Sequence, residues 1–258
     1  MGETEYVYGR RAVLEALRSS AERVNKLFIA EGTRGRTITE IRELARQKKI
    51  VTNTLPRRGL ERYVPGGEHQ GVIVSVAPVD YADADDLIRP YHAGKPALLL
   101  LLDEITDPQN LGAILRSADA VGADGVIIPR RRSVGLTPVV AKHSAGASRY
   151  VRVARVTNIA TTIDYLKENG IQTVGMTGDA GDTLYEVDLT SPTGIVIGSE
   201  GAGLRPLVRR KCDLTASIPM HGKISSLNAS VAAAVVLYEA LRQRLDASPA
   251  RSINSNPL

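Results

Sequence analysis

The stretch ALLLLLDEITDPQNLGAILRSADAVGADGVIIP, residues 97–129, decides the fold. Its apolar run, 97–102, is far short of the roughly 20 residues that span a bilayer, so it reads as a buried strand. Pro108 then closes a polar turn, and apolar residues at helical spacing predict a helix over 111–121. A second strand is expected over 125–128. The alternation continues with helices over 138–147 and 159–167, strands over 171–175, 194–197 and 214–218, and a last helix over 227–245. In that helix Leu227, Val231, Val235, Tyr238, Leu241 and Leu245 recur at helical spacing, and Arg242 and Arg244 suit the dipole at its end. Strands alternating with helices predict an α/β domain with a largely parallel sheet.

Upstream, residues 1–77 alternate in shorter lengths: helices over 11–17 and 37–48, strands over 24–30 and 72–76. Between the two regions the chain turns polar and proline-containing, with Asp80, Asp83, Asp85 and Asp86 among Pro78, Pro90 and Pro96. The expected organisation is a small α/β domain over 1–77, a linker over 78–95, a larger α/β domain over 96–246 and a disordered tail over 247–258. With 258 residues, 43% of them hydrophobic, the chain can bury a core without disulfides or a structural metal. Its one cysteine, Cys212, fits a reducing, cytoplasmic setting and excludes a disulfide scaffold or a zinc site. The acidic N-terminus is not a signal peptide, and no membrane insertion is expected.

Charge is uneven along the chain. Residues 130–155 carry seven basic side chains (Arg130, Arg131, Arg132, Lys142, Arg149, Arg152, Arg155) and no acidic one, and residues 1–80 hold 14 basic against 10 acidic. Either a solvated basic face or a phosphate-binding surface accounts for this. With no Trp and one Phe, stacking on nucleobases would fall to the nine Tyr.

Three loops, each after a strand, gather the polar residues, and carboxyl ends of strands are where open α/β sheets bind ligands. In DEITDPQNLGAILRSADAVG, 103–122, Asn110 is read as a helix cap or a site residue, and Arg116 as a surface or a functional arginine. In GIVIGSEGAGL, 194–204, three glycines in six positions permit close backbone approach. The spacing is not that of a dinucleotide fingerprint, and Glu200 would repel a phosphate. In IPMHGKISSLNASVA, 218–232, Ser225, Ser226 and Asn228 crowd a helix start, as caps or as a hydrogen-bonding pocket. The four histidines lack metal spacing, and neither G-x-S-x-G nor a P-loop lysine occurs, which argues against hydrolase and NTPase chemistry.

Together, in this order, the three loops resemble the three signature motifs of the SpoU, or TrmH-like, RNA methyltransferases of the SPOUT superfamily. The resemblance covers residues 97–244, and EHQGVIVSV, 68–76, is similar to the end of the N-terminal domain in bacterial relatives acting on large-subunit rRNA. VTNIATTIDYL (156–166) and LYEALRQR (237–244) bring it nearest to the 23S rRNA guanosine-2′-O-methyltransferases of the RlmB type.

The resemblance implies a SPOUT-type α/β knot, with a deep C-terminal trefoil, preceded by an L30e-like RNA-binding domain. It also implies a homodimer, S-adenosylmethionine as cofactor and 2′-O-methylation of ribosomal RNA, at a guanosine of 23S rRNA. The runners-up are a relative acting on tRNA or on another rRNA nucleotide, as in thiostrepton resistance, and a non-catalytic ribosome-assembly factor. On the matching positions, Asn110, Arg116, Glu200, Ser226 and Asn228 are expected to be functional. Thr177, Gly178, Ile197, Gly198, Glu200, Ile218, Met220, Leu227 and Ala229 are expected to hold the cofactor. Arg116, Arg130, Arg131, Arg132, Lys142 and Arg149 are expected to meet RNA, Glu200 facing the sulfonium or Arg116. Methyl transfer of this kind needs alignment and proton removal but no metal.

Overall fold

The structure is a computed structural model and describes residues 5–19, 21–77, 80–88 and 95–247. The tail expected to be disordered lies, from residue 248 on, outside the described residues. Two compact units are present, residues 1–80 with 136–143, and 81–135 with 144–258.

The first unit runs β1 (Glu5–Tyr8), α1 (Arg10–Ser19), β2 (Val24–Ala30), α2 (Arg36–Gln47), β3 (Val51–Leu55), α3 (Arg57–Glu61) and β4 (Val72–Val76). The strands form one mixed sheet in the order β1-β4-β2-β3, with only β2 and β3 parallel. Ile38, Ile41 and Ala45 of α2 sit three and four residues apart and meet Val13, Leu17, Leu27 and Val74 in one core. The opposite sheet face carries a smaller aromatic cluster, Phe28, Leu60 and Ile73 with Tyr6 and Tyr63. Strands β1 and β3 were not expected from the sequence. Both are edge strands, and β3 is largely exposed, so it lacks the alternation that marks a half-buried strand.

The second unit opens with α4 (Ala84–Ile88), inside the stretch expected to be a linker. Leu87 and Ile88 are fully buried against Leu99, Ile127 and Ala154, and Ala82 bridges to Ala154. There follow β5 (Leu98–Leu102), α5 (Pro108–Ala120) and β6 (Gly125–Pro129). Next, α6 (Pro138–His143) packs on α1 in the first unit and ends earlier than the periodicity predicts. The chain continues through β7 (Val153–Val156), α7 (Ile159–Glu168), β8 (Gln172–Met176), β9 (Asp182–Thr183), β10 (Thr193–Ile197), α8 (Pro206–Lys211), β11 (Leu214–Ser217) and α9 (Ala229–Ala247).

The second sheet is wholly parallel, in the order β7-β6-β5-β10-β8-β11-β9. Register then positions the site. Ile197 pairs with Leu102, Val196 with Gly175 and Ala216 with Met176, so the carboxyl ends of β5, β10, β8 and β11 stand side by side. The loops leaving them therefore emerge at one edge, where ligands enter parallel sheets. Among the described residues no helix is long and apolar enough to cross a membrane, and no cluster of His, Cys, Asp and Glu could hold a metal.

Candidate functional site

Loop 198–204 folds back on itself as a tight hairpin. Ser199 and Gly203 exchange both backbone hydrogen bonds, at 3.1 and 2.9 Å, and a Cβ at Gly198 would lie 2.2 Å from the Gly203 carbonyl carbon. Only glycine fits there, because the obstacle is backbone and cannot swing away. The hairpin thrusts Glu200 to its tip.

Glu200 is the hub of the site. Its Oε1 accepts from Asn110 Nδ2 at 2.9 Å, from the Ala229 backbone N–H at 3.3 Å and from Asn228 Nδ2, and Asn228 Nδ2 also donates to Asn110 Oδ1 at 2.9 Å. One carboxylate thus ties together the loops after β5, β10 and β11. Charge-assisted hydrogen bonds of this type are the stronger kind.

The two asparagines resolve their alternative readings differently. The N-cap of α5 is Asp107, whose Oδ1 accepts from Gln109 N at 2.9 Å, so Asn110 sits one turn in, buried, with its amide free for Glu200. Asn228 does both. Its Oδ1 accepts from Ser230 N at 2.9 Å, capping α9, while its amide nitrogen reaches the hub.

Beside the hub lies a cavity of about 680 Å³, walled by residues 176–179, 197–204, 218 and 220, 225–227 and 229, with Arg209 and Ala232. Thr177, Gly178, Ile197, Gly198, Glu200, Ile218, Met220, Leu227 and Ala229 all line it, as do Ser225 and Ser226. Among the described residues Thr177 Oγ1 is buried without a hydrogen-bond partner, an expensive state that a ligand would relieve. At the rim Arg209 donates to Asp179 Oδ2 at 2.8 Å and holds that carboxyl below the usual range. The Thr177 hydroxyl adds a minor pull without meeting hydrogen-bond geometry.

Arg116 is exposed on α5, does not line the cavity, and has no hydrogen bond or ion pair among the described residues. The pairing of Glu200 with Arg116 is therefore not formed: the asparagine amides and the Ala229 N–H occupy the carboxylate instead. Arg130, Arg131 and Arg132 are exposed just after β6, with Arg132 3.3 Å from Glu104, and Arg149 belongs to the same unit. Lys142 does not join them. It sits on α6 in the first unit and pairs with Glu15 at 3.0 Å.

One element of the site escaped the sequence. Asp103, fully buried at the end of β5, accepts from Arg205 N at 3.0 Å and from Arg205 Nε at 2.8 Å, and this pairing raises the guanidinium's pKa. The contact locks the loop after β5 to the end of loop 198–204. Its signal was an acid directly following five leucines, a position where an unpaired charge would not survive.

Comparison with known proteins agrees with this geometry. The family model described as the SpoU rRNA Methylase family matches residues 97–238, and that described as RNA 2′-O ribose methyltransferase substrate binding matches 6–82. The chain belongs to the SpoU rRNA methylase family. A family relative in Bacillus subtilis, named as TrmH family tRNA/rRNA methyltransferase YacO, is 46% identical over 241 residues, covering 93% of this chain and 96% of its own. The SpoU methyltransferase AviRb from Streptomyces viridochromogenes superposes with a TM-score of 0.62 at 30% identity, over 95% of this chain and 91% of AviRb. A second AviRb structure, in complex with the cofactor AdoMet, gives 0.61 at 29% identity, over 94% and 91%. The SpoU chain thus has the SPOUT-type α/β fold with an N-terminal substrate-binding domain.

Proposed function

We propose that this chain transfers a methyl group from S-adenosylmethionine to the ribose 2′-hydroxyl of a guanosine in 23S rRNA. The carrying observation is the Glu200 hub, which joins three separate loops at the lip of the 680 Å³ cavity. The domain organisation we propose is an RNA-binding domain over 1–77 and a methyltransferase domain over 96–246.

The cavity fits the cofactor on its own chemistry. Ile218, Met220 and Leu227 offer apolar surface, the glycines of 198–203 let backbone approach, and the orphan Thr177 hydroxyl offers a donor. Thr177, Gly178, Ile197, Gly198, Glu200, Ile218, Met220, Leu227 and Ala229 would hold it. When bound, S-adenosylmethionine supplies a methyl group on a positively charged sulfur. Glu200 would set a carboxylate in the wall of that cavity, and it keeps Asn110 and Asn228 in fixed orientation.

Arg116 faces solvent and is free to engage the RNA, so we assign it the substrate phosphate and the developing 2′-oxyanion. A guanidinium stays protonated in proteins, so it acts by charge and hydrogen bonding, with water carrying off the hydroxyl proton. Ser226, exposed at the cavity mouth, is assigned to orienting the ribose. Arg130, Arg131, Arg132 and Arg149 supply further phosphate contacts. We read the active species as a cytoplasmic homodimer.

The test is transfer of labelled methyl from S-adenosylmethionine to unmodified 23S rRNA, followed by mass spectrometry of the nucleosides. Appearance of 2′-O-methylguanosine is the expected result, another 2′-O-methylnucleoside corrects the target, and no incorporation on rRNA or tRNA refutes the activity.

A further inference from the structure

A second concavity, of about 390 Å³, lies wholly within the first unit, between α3 and the loop that leads into β4. Arg57 and Glu61 line it from α3, and Glu68, His69 and Gln70 from the loop. Its size falls within the range of small-molecule sites.

The loop is shaped before anything binds. Gly66, Gln70 and Gly71 take φ of 72, 49 and 81°, and a glutamine in the left-handed region is uncommon. Gln70 is pinned there, its Oε1 accepting from Arg10 N at 3.2 Å and its carbonyl oxygen from Arg10 Nε at 3.4 Å. Backbone held in such regions gathers at ligand clamps. His69, which lines the concavity, is 5% exposed, and its Nδ1 accepts from Gly71 N at 3.1 Å, which leaves Nε2 as the ring's donor. The side chains of Arg57, Glu61 and Glu68 make no ion pair or hydrogen bond among the described residues.

The concavity therefore offers donors from Arg57 and His69 beside two acceptor carboxylates. A phosphate would be repelled by the carboxylates. The edge of a polar heterocycle, with donors and acceptors side by side, matches the set, and RNA is read by hydrogen bonds to the edges of unpaired bases. Tyr8 supplies an aromatic surface next to this wall: it is 42% exposed and packs so closely on Gly67 that a Cβ there would come within 3.1 Å of its ring.

We infer that this concavity is a recognition site for one unpaired nucleobase of the substrate RNA, with Glu61 and Glu68 accepting from its N–H groups and Arg57 donating to its acceptors. The inference rests on the reading of the chain as an RNA methyltransferase and gives the N-terminal domain a base-specific part in target choice.

The sign of a charge change tests it. Binding of the full chain to transcribed 23S rRNA is measured by filter retention across a salt series, for wild type and for the Glu61→Gln, Glu68→Gln double variant. A control, Glu31→Gln with Glu43→Gln, removes two exposed carboxylates elsewhere in the unit. Removing negative charge tightens purely electrostatic binding, and the control is expected to show this. The pocket variant is expected to bind about tenfold more weakly, the size of a lost base contact, with affinity for S-adenosylmethionine unchanged. Arg57→Ala is expected to weaken binding without altering the salt slope. A pocket variant that binds as tightly as the control, or an Arg57→Ala slope lower by about one, overturns the base site in favour of a phosphate contact. A wild-type chain that binds S-adenosylmethionine but no RNA overturns the methyltransferase reading, and this site with it.

Discussion

Glu200 shows how much rests on single side chains. An acceptor with no hydrogen of its own suits three converging N–H groups, and Glu200→Ala leaves Asn110 and Asn228 without the partner that orients them. The expected result is loss of methyl transfer by at least about a hundredfold, roughly the cost of losing one preorganised electrostatic group, measured as single-turnover rate at saturating RNA. Gly198 and Gly201, three residues apart, answer differently to the same change. Gly198→Ala forces a methyl into the Gly203 backbone and should abolish S-adenosylmethionine binding in calorimetry. Gly201→Ala meets nothing within 4 Å, and with φ of +81° should cost only about 1–2 kcal/mol of stability. Cys212 is a quieter case. Burial pushes its thiol up to about 12, so iodoacetamide at pH 8 should label it only after the protein is denatured. None of these distinctions could be read from the sequence, where GSEGAG shows that glycine is used but not which glycine backbone confronts.

At the scale of elements, periodicity carried far. Strands β5, β6, β8 and β10 of the second sheet and the apolar faces of α2, α5 and α7 follow it within a few residues, because each answers to one packing surface, whereas the four-residue β7 and two-residue β9 were too short to be anticipated. It failed where composition and burial disagree. Asp83, Asp85 and Asp86 made the stretch before Pro96 look like linker, yet Leu87 and Ile88 of α4 are fully buried in the core. The start of α9 was legible only as a choice between cap and pocket, and Asn228 serves both ends. The two roles are separable by substitution. Asn228→Ser keeps a capping oxygen and removes the amide, so thermal stability should hold while transfer falls. Asn228→Ala should lose both, the cap being worth about 1 kcal/mol. The junction of β8 and β11 bears on pH. Burial raises the Asp213 carboxyl, but bonds from Thr173 Oγ1 at 2.7 Å and N at 2.8 Å, with Lys167 at 2.9 Å, leave it lowered overall. A carboxyl lower in the folded than in the unfolded chain stabilises fully above its ordinary value of 3.8 and progressively less as pH falls below it. Asp213→Asn should therefore flatten the fall of the urea midpoint below about pH 4.

At the scale of the whole molecule, the convergence of three loops at one sheet edge is a matter of strand order. Nothing in the spacing of 107–122, 194–204 and 218–232 says that β10 lies between β5 and β8 or that β11 lies beyond β8. The resemblance grouped the three loops into one site, and the strand order explains how they meet. The dimer we propose draws on α9, whose inner side, Ala233, Val236, Leu237 and Ala240, is buried while Val231, Tyr238 and Leu245 stand 46, 53 and 55% exposed at intervals of seven. Intervals of seven repeat one position of the heptad along which paired helices meet. The stripe also runs on the helix that packs against α5, which carries Arg116. A dimer through this face predicts that Tyr238→Lys with Leu245→Lys yields a monomer in sedimentation and still binds S-adenosylmethionine, since neither residue lines the cavity. Methyl transfer should fall with the dimer if pairing completes the RNA surface around Arg116. A wild-type chain that sediments as a monomer at micromolar concentration and methylates at full rate would remove the assembly from the mechanism and leave the stripe free for a different partner.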